Sequence, residues 1–293
     1  MTPPSEIKRG QLYLVSTPIG NLEDITLRAI RILKEVDAIA CEDTRHTQKL
    51  LNHYGVKKRL VSYHEHNENS RAPELISELK NGASIALVTD AGTPIVSDPG
   101  HRLVALCAEN NISVIPIPGA SAALATLAGS GISAERVLFA GFLPARQGER
   151  RRALTELASN PATLVFFEAP HRIANMLTAA AEILGPRPAA LARELTKLHE
   201  EFLRGTLSDL ANKLNSAPLK GEFTLVVGAS TQKDATPKGL TLRQRVEQLI
   251  RTDSLDRKAA LKQAAREFGI PRREAYKQLL QDGEFTNEEP SEE

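Results

Sequence analysis

The sequence predicts an α/β protein made of two α/β domains in succession, with a small helical segment at the C-terminal end. Two observations predict this. Short apolar runs alternate with stretches whose apolar residues recur at helical spacing, the arrangement of a mainly parallel sheet covered by helices. The alternation pauses at GSGIS, restarts, and stops before a polar stretch at 230–239 that contains Pro237 and Gly239. A length of 293 residues suits about two domains, and 41% hydrophobic content leaves room for a large core.

Taken in order, QLYLVS, DAIACEDT, RLVSYHE, ASIALVTD and ISVIPIPG are the expected strands of a first domain over 11–134. Helical patterns lie between them at 23–36, 44–53, 71–80 and 99–109; Ile25, Ile30, Leu33 and Val36 mark the face of the first. RVLFAGF, ATLVFFEAP, AALARELT and EFTLVVGA supply the strands of a second domain over 135–230, with helices at 171–184 and 207–214. Residues 240–283 carry helical pattern alone, and LKQAAREFGIPRREAYKQLL has the layout of a helix-turn-helix. Leu242, Val246, Leu249, Leu261, Ala264, Phe268, Tyr276 and Leu279 are the expected core of that segment. The Glu-rich end, 284–293, is expected to be disordered.

Composition narrows the function. With 37 basic and 36 acidic residues the net charge is +1, so any attraction to nucleic acid has to come from local patches. Cys41 and Cys107 are the only thiols and have no metal-ligand spacing, which reads as two buried small apolar residues in a reduced, cytoplasmic protein. MTPPSEIKRG lacks the apolar core of a secretory signal. The uncharged stretch 110–134 is broken by Pro116, Pro118, Gly119, Gly129 and Gly131, so it reads as strand, turn and small-residue helix, with no membrane role.

Three loops of small residues each follow an expected strand: TPIGN at 17–21, TDAGTPIVSDPG at 89–100 and PGASA at 118–122. Small side chains leave backbone N–H and C=O groups open to a ligand. Asp90 and Asp98 add acceptors suited to a hydroxyl, an ammonium or a sulfonium. None of the loops has the glycine pattern of a dinucleotide fold or a phosphate loop.

Together with EDTR at 42–45, SYHEHNE at 62–68, GFLP at 141–144, EAPHR at 168–172 and ARELTK at 192–197, these loops resemble the tetrapyrrole methylase superfamily over about 11–230. Within it they resemble the branch that methylates ribosomal RNA: PGASA stands in place of PG-x-SS, and DAG in place of GDP, in the corrin and porphyrin methylases. The resemblance implies two α/β domains of the tetrapyrrole-methylase type, with S-adenosyl-L-methionine folded in the cleft between them. It gives Asp90, with Ala91 and Gly92, to the methionine end of the cofactor, and Thr93 and Pro94 to keeping that loop tight. Pro18 and Gly20 would leave room near the transferred methyl, Ser121 and Ala122 would line the cofactor, and Phe167 and Leu191 would wall the adenine.

The implied reaction is 2′-O-methylation of a cytidine in the decoding region of 16S ribosomal RNA, by a cytoplasmic homodimer whose partner is the small ribosomal subunit. A ribose hydroxyl is a weak nucleophile, so Glu42 or His64 is the expected proton acceptor and Arg45 a phosphate or carboxylate anchor. No metal is expected, because His64 and His66 lack third and fourth ligands at suitable spacing. Arg146, Arg150, Arg151 and Arg152, with Arg172 and Lys197, are the expected RNA contacts. Two other readings keep part of this picture. A corrin or porphyrin methylase keeps the fold, but it needs neither the basic loop nor the C-terminal helices. A non-catalytic ribosome-binding factor would use the helix-turn-helix for recognition and the α/β part as scaffold.

Overall fold

The computed structural model describes residues 8–214, 220–230, 240–252, 255–268 and 270–281. The polar stretch from 231 to 239 and the acidic end 284–293 lie outside the described residues. Among the described residues, 8–154 and 162–228 form one unit; 155–161 and those beyond 228 form another.

The first unit opens with β1 (Leu12–Val15), α1 (Leu27–Glu35), β2 (Ala38–Cys41), α2 (Thr44–His53), β3 (Arg59–Ser62), α3 (Glu68–Lys80), β4 (Ile85–Leu87), α4 (His101–Glu109), β5 (Val114–Ile117) and α5 (Ala122–Ser130). The strands lie in the order β3-β2-β4-β1-β5, and every pairing is parallel. β2 and β4 are buried at every residue, as strands covered on both faces must be. Side-chain alternation divides the core: Tyr13, Val15, Ile39 and Cys41 pack with α1 and α2, while Leu12, Ala40, Ile85 and Leu87 pack with α3 and α4. Cys41 and Cys107 are both fully buried, as expected.

Of the helix starts that differ from the sequence pattern, two adjoin the motif loops of the first sheet. Thr26 accepts the Ala29 N–H at 3.1 Å, so α1 begins at Leu27, and Leu22–Asp24 form a separate 3-10 turn capped by Asn21. Helix α3 begins at Glu68, three residues before the periodic pattern, and so includes the last residue of SYHEHNE.

The same unit continues with β6 (Val137–Phe142), α6 (Gln147–Glu156), β7 (Thr163–Glu168), α7 (Ile173–Leu184), β8 (Pro188–Arg193), β9 (Glu201–Thr206), α8 (Leu207–Leu214) and β10 (Phe223–Val227). The order is β6-β7-β10-β8-β9, and only β6 and β7 run parallel. This mixed sheet differs from the first, and the antiparallel pairings have a consequence: Phe223, which begins β10, stands opposite both Glu168 at the end of β7 and Arg193 at the end of β8. The segments EAPHR, ELTK and Glu222–Thr224 therefore share one edge. β9 is absent from the sequence reading because its pattern is weak. It is an edge strand with no fully buried residue, and it includes Arg204 and Gly205.

The helical unit consists of α9 (Leu242–Thr252), α10 (Arg257–Glu267) and α11 (Arg272–Gln281). Leu242, Val246, Leu249, Leu261, Ala264 and Leu279 are buried, with Phe268 packed against them, as the periodicity predicts. Tyr276 is the exception at 40% exposure; Ala275, one turn before Leu279, takes the inward position instead. Among the described residues no helix is long and apolar enough to cross a membrane, and the uncharged stretch 110–134 contains β5 and α5.

Candidate functional site

Because β1 to β5 are parallel, the loops after them leave the sheet at one edge, where ligands of open α/β sheets bind. Backbone bonds lock these loops together. The Thr17 N–H donates to the Gly92 carbonyl at 2.9 Å and the Gly92 N–H returns to the Thr17 carbonyl at 3.1 Å, zipping TPIGN to TDAGTP. Gly92 sits at φ 84°, where a side chain would be strained. The Thr93 hydroxyl lies 3.0 Å from Ser16 Oγ and 3.3 Å from the Ala120 carbonyl, joining the PGASA loop to the same assembly. Ile95 and Ser97 also have positive φ, 77° and 67°. Such residues cost about 1–3 kcal/mol each and gather where a ligand loop is held in shape.

Two adjoining cavities open on this assembly. The first, about 390 Å³, is walled by Asp90–Thr93, Asp98, Ser121 and Ala122 on one side. Its other side is the edge of the second sheet: Phe142, Phe167, Glu168–Pro170 and Phe223. The size is ordinary for a small-molecule site. Phe142 and Phe167 have ring centroids 5.7 Å apart, and Phe142 is 55% exposed, leaving an aromatic face for a flat apolar ligand group. The second cavity, about 310 Å³, shares Ile19, Asp90, Ala91 and Glu222 with the first and adds Pro18, Gly20, His46, Lys49 and Lys197. Asp90 fronts both.

Gly20 has a role that the sequence reading did not give it. A Cβ there would meet Lys197 Cγ at 2.5 Å, Thr196 Oγ1 at 2.8 Å and the Leu195 carbonyl at 3.1 Å. Glycine at this position lets the TPIGN and ELTK loops touch, with the Asn21 N–H donating to Thr196 Oγ1 at 3.0 Å. The position is thus held by contact with the ELTK loop, and Gly20 also lines the second cavity.

Behind Asp90 lies a group of carboxylates. Burial pushes the Asp98 carboxyl up to about 6, with Glu42 and Asp90 adding to the rise. Burial likewise raises Glu42, assisted by Asp90 and Glu65 and opposed by His64. The structure thus brings Glu42, His64, Asp90 and Asp98 into one electrostatic neighbourhood, although Glu42 and His64 line neither cavity. The Asp43 N–H donates to Asp90 Oδ1 at 3.2 Å, while the Asp43 carboxylate caps α2.

Several expected residues lie elsewhere. Arg45 lines neither cavity; its side chain is 88% exposed, pairs with Asp43 at 3.3 Å, and lines a separate open groove. Leu191 is fully buried in β8 and Pro94 is buried in its loop, and neither lines the two cavities. Arg150 is buried at 6% exposure, because it shares the inward face of α6 with Leu154, and its Nη1 donates to the Ala145 carbonyl. Arg172 is held inside by Glu168, with Nε at 3.0 Å from Oε1, and it also donates to the Leu143 carbonyl. Arg146 and Arg151 are paired with Glu149 and Glu182. Lys197 lines the second cavity, bound to Glu194 at 2.9 Å and Glu222 at 3.2 Å.

The residues that sequence reasoning did not single out are Phe142, Glu222, His46 and Lys49. GFLP and EDTR carry the signal for the first and the last two, since Phe142 is within one motif and His46 and Lys49 follow the other on the same helix. Glu222 has no motif, and only the antiparallel placement of β10 brings it to the site.

Residues 11–211 match the family of tetrapyrrole (corrin/porphyrin) methylases. The chain is 48% identical over 92% of its length to the ribosomal RNA small subunit methyltransferase I of Halalkalibacterium halodurans, covering 94% of that protein. It is 47% identical to the protein of the same name from Bacillus subtilis, over 91% of this chain and 93% of that one. Among solved structures, a uroporphyrin-III-C-methyltransferase from Thermus thermophilus superposes with a TM-score of 0.54 at 23% identity, over 75% of this chain and 94% of that one, which supports the fold. Another structure of a Thermus thermophilus uroporphyrin-III C-methyltransferase, complexed with S-adenyl homocysteine, gives 0.53 at 20% identity over 74% and 96%. Motifs, fold and relatives agree: the chain belongs to the tetrapyrrole methylase family, among the methyltransferases named ribosomal RNA small subunit methyltransferase I.

Proposed function

We propose that the chain is an S-adenosyl-L-methionine-dependent methyltransferase that modifies the 2′-oxygen of a cytidine in the decoding region of 16S ribosomal RNA. The observation that carries this reading is the pair of adjoining cavities meeting at Asp90, one with an aromatic wall and carboxylates, the other lined by His46, Lys49 and Lys197. The first suits a cofactor with a flat base and a cationic sulfur. Phe142 and Phe167 would flank the base, Asp90 and Asp98 would face the cation, and the Asp90–Thr93 backbone and Ser121 would hold the polar end. The cofactor supplies an activated methyl group on a sulfonium.

The second cavity takes the acceptor ribose. Methyl transfer to an oxygen is an in-line displacement, so the residues lining the two cavities on either side of Asp90 would contribute chiefly by aligning acceptor and donor. The hydroxyl proton leaves to the carboxylate group around Asp90. Glu42, raised by burial, is better matched to accept it near neutral pH than an ordinary carboxylate, and His64 is the other candidate beside it. Relatives that carry a ribosomal RNA methyltransferase name support RNA as the acceptor. A cytoplasmic homodimer belongs to the same reading, and sedimentation velocity measures the second part of it.

The test is transfer of labelled methyl from S-adenosyl-L-methionine to purified small subunits lacking the modification, followed by nucleoside mass analysis. A 2′-O-methylated cytidine is expected. Label on a base, or none on RNA, overturns the assignment.

A further inference from the structure

The outer face of α2 is unlike its inner one. Thr47, Leu50 and Leu51 are buried, while Arg45, Gln48, Lys49 and Asn52 are exposed. With Lys58 and Leu60, that outer face lines an open groove of about 580 Å³ containing three cations and no carboxylate. Arg45 and Lys49 stand one turn apart, about 6 Å along the axis. Like charges at that spacing cost a few tenths of a kcal/mol, so helix stability does not account for them. Asp43 holds Arg45 by one side of its guanidinium, and the side chain is still 88% exposed. Gln48 Nε2 donates to Asn52 Oδ1 at 2.8 Å, so the groove floor between the cations is made of amides.

Lys49 also lines the second cavity, alongside His46, Lys197, Pro18 and Asp90. The groove and the acceptor cavity are therefore joined at one side chain. A chain of cations runs from Lys58 and Arg45 through Lys49 toward Asp90, on the side away from the aromatic wall of the first cavity.

We propose that the α2 groove is the entry track for a single-stranded RNA segment, whose phosphates rest on Arg45, Lys49 and Lys58 while the nucleotide to be modified passes Lys49 and His46 into the cavity at Asp90. The track rests on the reading that the acceptor is an RNA ribose. Anchored phosphates fix register, and the amides of Gln48 and Asn52 are placed to meet base edges or ribose hydroxyls. RNA segments available to such a groove are unpaired, since a 2′-hydroxyl has to be brought out to Asp90.

The double variant Lys49→Gln/Lys58→Gln tests this. Binding of a fluorescein-labelled single-stranded RNA oligonucleotide, and of purified small subunits lacking the modification, is measured against potassium chloride concentration. Each lost phosphate contact lowers the slope of log K against log salt by about 0.7, so the slope is expected to fall by about 1.4. KM for subunits is expected to rise while S-adenosyl-L-methionine uptake by calorimetry is kept, and Lys49→Arg/Lys58→Arg is expected to restore the slope. An unchanged slope in a variant of a protein that methylates subunits overturns the track and leaves the proposed activity standing. Weaker binding to whole subunits with unchanged binding to the oligonucleotide also overturns it, because the groove would then meet ribosomal protein. A wild-type protein that neither binds RNA nor methylates subunits overturns the activity and the track together.

Discussion

Residues 146–152 hold four arginines in seven positions, whereas the α2 groove draws its three cations from Arg45, Lys49 and Lys58, spread over fourteen positions. By sequence the first segment is the stronger candidate for RNA. In space the order reverses. Arg150 is turned inward by the helical period, Arg146 and Arg151 are paired with glutamates, and Arg172, which the sequence grouped with them, neutralises buried Glu168. Arg45 is also paired, with Asp43, but Arg45, Lys49 and Lys58 line a common groove without carboxylates in its lining, and Lys49 reaches the cavity at Asp90. Density of charge along a chain thus says little about the field a ligand meets; what matters is which face the helix turns outward and which carboxylates have already claimed the cations.

The largest effect that separates the two regions is expected at Arg172. Arg172→Ala leaves Glu168, whose side chain is fully buried, without its partner. Breaking such a pair costs about 3 kcal/mol, read as a lower urea midpoint, while the salt slope of RNA binding stays as in the wild type. The opposite result, normal stability with a reduced slope, would return Arg172 to the RNA surface and break the comparison.

A smaller effect is expected from Arg146→Gln/Arg151→Gln/Arg152→Gln, which spares the buried Arg150. Two of these three are already engaged by glutamates on an exposed surface, where pairs are worth about 0–1 kcal/mol. The triple variant should lose less salt slope than the α2 double variant, although it removes more charge. A slope falling by about 2, as three phosphate contacts would give, would place RNA on α6 after all.

How far the sequence was legible follows from the same physics. Strands of the first sheet are short apolar runs, two of them buried at every residue, so they stand out, and parallel order then places the motif loops that follow them at one edge. Strand β9 was missed because EFLRGT has no buried residue and no apolar period, with Arg204 and Gly205 in its run. The loops that wall the first cavity at Asp90 and Ser121 were legible because each is contiguous in the sequence. Glu222 was not, since it arrives from the second sheet through a pairing that no local pattern encodes, whereas Phe142 lies inside GFLP and was passed over there. Gly20 was legible as a required glycine but not for its reason, which is contact with a loop about 175 residues away. Tyr276 illustrates a limit of periodicity itself: two adjacent apolar residues, Ala275 and Tyr276, competed for one inward position, and the smaller one filled it.

The effect that depends most sharply on pH is expected where the α2 groove ends, at the carboxylates around Asp90. Asp98 is raised to about 6 in the folded chain by burial, with Glu42 and Asp90 adding to it. An unfolded aspartate titrates near 3.9, so between about pH 4 and pH 6 the folded chain holds a proton that the unfolded chain has lost. The stability Asp98 contributes is therefore full below about pH 4 and is lost as pH rises through about 6. Asp98→Asn should match the wild type in thermal midpoint at pH 4 and exceed it by a margin that grows up to about pH 6 and then levels off. A bound sulfonium reverses the preference, because it favours the ionised carboxylate. In the wild type, affinity for S-adenosyl-L-methionine should then rise between pH 5 and pH 7, approaching about tenfold per pH unit at most, with proton release detectable by calorimetry in two buffers. S-adenosyl-L-homocysteine carries no sulfonium and should show a weaker dependence. Equal pH profiles for the two ligands would move the cation away from Asp98, and with it the boundary between the cofactor cavity and the cationic track that α2 leads into.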